Sequence, residues 1–288
     1  MRYRRKDRRY YSVRTGTHPA GTSIPLNMFR RLVVSRISEF ESWGYFQEQL
    51  GIDCVDGFIA GSAGDDVGDY VFSRTRKDHL FPFSKESAES WEVDDVFDVI
   101  EFVFDHVSMP IGDGKFHSYG ECGNHYDQFD DTGLAQEAFR NAVNEFLPDY
   151  GVGYELGEEG EILQSIRSEF APLHAAGVPS STDVQVIEKI QSATRKYRAR
   201  HSSNEDKLDA VRDLADALEF IRPSVKKVIA RKDEAALFEI ANKFGIRHHT
   251  PRQQTQYDKN IWHRWMFYFY LSTLHAALRM IARKERES

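Results

Sequence analysis

Arg247, His248 and His249 stand side by side in the segment LFEIANKFGIRHHTPRQQTQYD, which runs from Leu237 to Asp258. Imidazole and guanidinium are the groups needed to cut RNA without a metal. One histidine takes the proton from a ribose 2′-OH, and the freed oxygen attacks the neighbouring phosphorus. Arg247 neutralises the charge that builds on the phosphoryl oxygens. A second histidine, from this chain or from a partner subunit, protonates the leaving 5′-oxygen. The products are a 2′,3′-cyclic phosphate and a 5′-OH end. The other reading is a helix C-terminus, where His248 and His249 face the negative end of the dipole and cap free carbonyls. Asp258 can orient a histidine tautomer or cap the next helix, and capping is the favoured role.

Two helices must hold this segment. Asp233–Phe244 begins with an acidic turn and stops at Gly245, a suitable C-cap. Asp258–Arg283 is long and rich in aromatics. Before them, Asp183–Arg200 and Asn204–Ile221 have helical periodicity and are joined by HSSN, in which Ser203 or Asn204 can cap. A short helix is expected at Ser224–Arg231, after Pro223. The C-terminal part therefore reads as a four- to five-helix bundle over 183–288. A Pro/Gly/Ser-rich linker, 171–182, separates it from an N-terminal domain, 1–170.

The N-terminal domain reads as α+β in a chain that is mainly α. Leu26–Leu50, Asp94–His106 and Thr132–Leu147 show helical spacing. Gly57–Gly68 is a loop. Gly153–Ile162, GYELGEEGEI, is a small β-hairpin turning at Glu158–Gly160.

Composition allows real cores, with 41% apolar and 13% aromatic residues in 288. The net charge of −7 argues against a protein that coats nucleic acid with its whole surface, but leaves room for a local basic site. The first fourteen residues hold seven cations against Asp7. Arg4, Arg5, Arg8 and Arg9, interleaved with Tyr3, Tyr10 and Tyr11, can grip a phosphate backbone and stack on bases. Arg252 is added to them as a nucleic-acid contact. The alternative is a solvated arm resting on the acidic middle of the chain, where residues 94–131 sum to −9. Cys54 and Cys122 imply no disulfide framework and suit a reducing cytoplasm. Neither a signal peptide nor a membrane span is expected.

Cys122 and His125 have C-x-x-H spacing, with His106, His117 and Asp127 nearby. Zinc accepts such ligands, but one cysteine with scattered histidines is a weak signature beside paired C-x-x-C motifs. The reading adopted is a glycine-rich loop with a buried thiol, with no metal and no cofactor.

The stretches LFEIANKFGIRHH and YDKNIWHRWMFYFYLSTLHAALR resemble a HEPN domain, the helical fold of many bacterial RNase toxins and abortive-infection proteins. DDVFDVIEFVFDHVS, ECGNHYDQFD and GYELGEEGEI resemble an N-terminal domain of AbiJ-like abortive-infection proteins. The resemblance implies an N-terminal sensing or regulatory domain and a HEPN domain that cuts RNA without a metal. It also implies tRNA or mRNA as target and a phage-derived or protein trigger. Trp262, Trp265, Phe267, Phe269 and Tyr270 wrap more than one face of Asp258–Arg283, more than a single bundle needs to bury, so a homodimer built on the last helices is expected. The HEPN pattern is Arg, a polar residue, and His after four to six intervening residues. It maps the polar position to Asn242 and the histidine to His248, and puts Ala241 where the arginine stands, with Arg247 available instead. Without that arginine the alternative is an inactive module that binds RNA or a protein partner. Arg195–His201 and Arg74–His79 also satisfy the bare spacing and are taken as coincidence.

Overall fold

The computed structural model describes residues 23–119, 122–131, 133–165, 176–229 and 258–287, with Tyr11, Leu173, Leu237 and Phe238. The chain divides into two compact units, Met1–Ser165 and Ile166–Ser288. Both are dominated by helices, and the strands are short antiparallel hairpins.

The first unit is built around helix α5, Val93–Asp105, VDDVFDVIEFVFD. Apolar residues fall on more than one face, so Val96, Val99, Ile100 and Val103 are buried together with Phe97, Phe102 and Phe104. Each such side chain contributes about 1.5–3 kcal/mol when fully buried. Glu92 and Asp95 close a capping box at its start. Helix α1, Leu26–Ser42, lays Phe29, Val33, Ile37 and Phe40 into the same core. Helix α6, Leu134–Val143, adds Phe139 and Val143. The rings meet edge to face, Phe29 on Phe97 at 5.6 Å and Phe40 on Phe139 at 5.3 Å.

The helix expected to run from Leu26 to Leu50 is broken. Gly44 takes a φ of 81°, and α2, Gln47–Leu50, is a separate turn. The expected loop from Gly57 to Gly68 contains a strand. β2, Gly57–Ile59, pairs with β1, Ile52–Cys54, in a hairpin. The helix expected over Thr132–Leu147 ends at Val143, and Leu147–Asp149 forms a 3₁₀ turn around Pro148. Helices α3, Val67–Thr75, and α4, Lys85–Ala88, complete the helical part of this unit.

Three further antiparallel pairs follow α5. β3, Met109–Pro110, pairs with β6, Phe129–Asp130; β4, Lys115–His117, pairs with β5, Gly123–His125. β7, Tyr154–Leu156, pairs with β8, Ile162–Gln164, and is the hairpin expected from GYELGEEGEI. Its turn rests on α5. A Cβ on Gly160 would lie 2.4 Å from the Phe104 ring, and φ there is 89°, so only glycine fits. Asn144 Oδ1 accepts from Leu156 N at 2.7 Å, while its Nδ2 donates to Leu156 O at 3.0 Å. Glu101 accepts from Ile162 N at 2.6 Å.

The second unit is a helical bundle. Helix α7, Val184–Arg198, and helix α8, Asn204–Phe220, are joined by a tight turn. Ser203 is the N-cap of α8, in a capping box with Asp206. The short helix expected from Ser224 starts earlier: α9 is Arg222–Val225, with Pro223 in its first turn, where a proline lacks nothing. Helix α10 spans Lys259–Glu287. Val186, Val211, Leu214, Leu218, Met266, Phe267, Tyr270 and Leu274 form the core. The helix expected over Asp233–Phe244 lies outside the described residues, apart from Leu237 and Phe238, which are helical. Among the described residues no helix is long and apolar enough to cross a membrane.

Candidate functional site

Asn242, Arg247, His248, His249 and Arg252 lie outside the described residues, as do Arg4, Arg5, Arg8 and Arg9. Asp258 is placed, and it caps α10. Its Oδ1 accepts from Asn260 N at 3.0 Å and Ile261 N at 3.2 Å.

The bundle end at which the chain reaches Asp258 is cationic. The last turn of α7 and the following turn read RKYRARH, giving Arg195, Lys196, Arg198, Arg200 and His201 with no acid between them. Lys207 comes from the first turns of α8, and Lys259 and Arg264 from α10. Tyr197 stacks on Phe267 at 3.9 Å, which fixes α7 against α10 here. His263 is buried at the same end, 1% exposed. Burial pushes its pKa below 6.5, and Lys259 pushes it further. A backbone hydrogen bond with Asn204 opposes this, while Lys207 and Arg212 add to it. Acids offset part of the charge: Asp213 meets Lys196 at 2.6 Å, Asp209 meets Arg212 at 2.6 Å, and Glu205, Asp206 and Asp258 lie at the same end. Arg195 and His201, which satisfy the bare spacing and are taken as coincidence, are thus at the basic end. Arg74 and His79 are not: Arg74 lies over the Tyr70 ring, and His79 contacts Asp95 at 3.1 Å.

The aromatic run of α10 separates into two faces. Phe267 and Tyr270, expected at a dimer interface, are buried in this unit's own core. Trp262 and Trp265 remain 37% and 44% exposed, and Trp265 stacks on Phe269 at 5.3 Å. His275 is buried, and its Nδ1 has no hydrogen-bond partner. Burial, then Arg279, pushes its pKa below the ordinary value.

In the first unit the structure brings Cys54 to Cys122, His117 and His125. One ligand atom from each lies within 4.8 Å of all the others. Cys54 ends β1, and His117 ends β4; Cys122 immediately precedes β5, and His125 ends it. The glycine-rich loop expected to hold a buried thiol is therefore a hairpin, and the buried thiol is Cys54, with Cys122 half-buried. His106 and Asp127 are not part of the group. His106 is hydrogen-bonded to Phe102 O at 2.6 Å and to Tyr70 Oη at 3.0 Å, and Asp127 pairs with Lys115 at 3.6 Å. The spacing of Cys122 and His125 pointed here. Nothing local pointed to Cys54, which is 63 residues from His117 along the chain.

Two hydrogen bonds run from backbone N–H groups to the sulfurs, Asp56 N to Cys54 Sγ and Val55 N to Cys122 Sγ, each at 3.5 Å. The Cys122 thiol donates to Tyr119 O at 3.3 Å. The Asp56 N–H holds the Cys54 thiol down, but burial and the adjacent Cys122 outweigh it and leave the thiol above its ordinary pKa. His125 Nε2 is buried and has no hydrogen-bond partner. A cavity of about 840 Å³ adjoins the group, lined by α1 residues such as Ile37 and Glu41, by Phe81–Lys85, and by Cys54 and Cys122. Burial raises the Glu41 pKa there.

No protein-family model matches this chain, and no curated protein or solved structure is significantly similar to it.

Proposed function

We propose that this chain is an antiphage protein of the abortive-infection type, whose HEPN-like helical unit cuts RNA without a metal and whose α+β unit regulates it. The observation that carries the reading is the cationic end of the second unit. Arg195, Lys196, Arg198, Arg200, Lys207 and Lys259 gather there, against Glu205, Asp206, Asp209, Asp213 and Asp258, in a chain whose net charge is −7. A local excess of cations favours a polyanion at that end. The segment holding Arg247, His248 and His249 joins α10 at the same end, through Asp258. In this reading His248 and His249 are the base and acid, Arg247 stabilises the phosphoryl charge in place of the arginine missing at Ala241, and Asn242 and Asp258 support them. Each histidine contributes on the order of 10²–10⁴-fold.

Ala241 favours a second reading, an inactive HEPN module that holds RNA. One experiment separates the two. Wild type and His248→Ala are induced in cells, and growth, RNA integrity and melting temperature are compared. Loss of growth arrest and of RNA cleavage at an unchanged melting temperature supports the enzyme. RNA binding without cleavage by the wild type supports the module.

A further inference from the structure

We infer that Cys54, His117, Cys122 and His125 form a four-ligand zinc site that fastens the β1–β2 hairpin to the β4–β5 hairpin. The site lies in the first unit and stands independently of the RNA reading.

Distances carry the argument. A tetrahedral ion with Zn–S near 2.3 Å and Zn–N near 2.05 Å separates two sulfurs by about 3.8 Å and a sulfur from a nitrogen by about 3.6 Å. Cys54 Sγ lies 3.7 Å from Cys122 Sγ and 3.4 Å from His117 Nδ1. These are two edges of such a tetrahedron, and all four donors fall within 4.8 Å of one another. The cysteines are free, and a bonded pair would need sulfurs about 2.05 Å apart. A two-iron cluster with two cysteines and two histidines gives each pair its own iron. That would put Cys54 Sγ and His117 Nδ1 much further apart than they are.

The surroundings suit a cation. The Asp56 carboxylate lies 3.4 Å from His117 Nε2, so a proton on Nε2 faces the acid and the Nδ1 lone pair faces Cys54. This is the acid–histidine–metal arrangement that fixes a ligand's tautomer. Backbone N–H groups of Val55 and Asp56 point at the two sulfurs. His125 Nε2 is buried with no hydrogen-bond partner, a cost that a metal ion would relieve. Two sulfurs and two nitrogens in a tetrahedron select zinc. Four protein ligands leave no open position, so the site is structural.

It also explains why these hairpins exist. Each strand has three residues, and a lone hairpin of that size is marginal in water. Phe58, Ile59 and Phe116 on them are exposed, so apolar burial contributes little.

The test uses the full chain, purified without chelator. Elemental analysis is expected to find about one zinc per chain. Exchange to Co(II) should give a thiolate charge-transfer band and the strong visible bands of a tetrahedral ion. Cys54→Ser and His125→Ala should each lose the metal. Should they fail to fold, Asp56→Asn decides: it should keep the site with about 10–100-fold weaker zinc affinity in a chelator competition. Zinc-free protein that takes up no zinc on addition would overturn the proposal. So would a Cys54–Cys122 disulfide, bound iron in place of zinc, an octahedral cobalt spectrum, or unchanged affinity in Asp56→Asn.

Discussion

His275→Leu should make the helical unit more stable and less sensitive to acid. His275 is 5% exposed, and Nδ1 has no partner in the native fold. Burial, then Arg279, depresses its folded pKa below 6.5. A base with a depressed folded pKa binds more protons when unfolded, so its contribution to stability is fully present above about 6.5 and is lost as pH falls below that. The loss continues down to the folded pKa, at a slope of up to about 1.4 kcal/mol per pH unit. Leucine has no such linkage. At pH 7.5 it also removes a buried unsatisfied nitrogen, which costs about 1–3 kcal/mol. The variant should therefore be the more stable at pH 7.5, and the gap should widen below pH 6.5. Urea unfolding between pH 5 and 8 measures this, with the resolved fluorine NMR signals of 5-fluorotryptophan at Trp262 and Trp265 reporting on the helical unit, apart from Trp43 and Trp91 of the first unit. His263, also depressed by burial and by Lys259, remains in both proteins, so the variant keeps part of the slope. Equal slopes for variant and wild type would refute the reasoning.

Three further outcomes follow from particular contacts. Asp95→Ala takes a 6% exposed carboxylate from His79 and from Lys77, which keeps Asp98 at 2.7 Å, and removes a cap on Glu92 N, and should cost about 1–2 kcal/mol by denaturant unfolding. Burial raises the Asp95 pKa, but Lys77, His79 and the Glu92 N–H outweigh it and leave the pKa below 3.8; that stability is present above about pH 3.8 and disappears as pH falls further. Arg198→Glu with Arg200→Glu should weaken RNA binding in a titration against salt and flatten the log–log slope by about 1.4, since each lost contact removes about 0.7. Trp262→Lys with Trp265→Lys should shift a dimer to monomer in sedimentation, because these two rings are the exposed part of the α10 aromatic run. A monomeric wild type would contradict that last expectation.

Long periodic segments were legible. Helices near Asp94–His106, Asp183–Arg200 and Asn204–Ile221 appear within a few residues of their expected ends, because apolar spacing and caps such as Ser203 are local signals. The GYELGEEGEI hairpin was legible through its turn chemistry. The β1–β2 and β4–β5 hairpins were not, since three residues are too few to show alternation. The run past Gly44 misled because apolar residues continue at helical spacing beyond the glycine that ends α1. At the thiol–imidazole group, Cys122 and His125 are near neighbours in sequence, whereas Cys54 arrives from another hairpin. The α10 pattern is apolar all round, so the sequence could not sort core rings from interface rings; the fold turns Phe267 and Tyr270 inward. Of the residues proposed to cut RNA, Asp258 lies within the described residues, as a helix cap.

The most direct measurement of the central claim is end-group analysis of RNA cut by the purified full chain in EDTA, with His248→Ala alongside. The account predicts fragments ending in 2′,3′-cyclic phosphate and beginning with 5′-OH from the wild type, and none from the variant. Intact RNA, 5′-phosphate ends, or equal cutting by His248→Ala would contradict it.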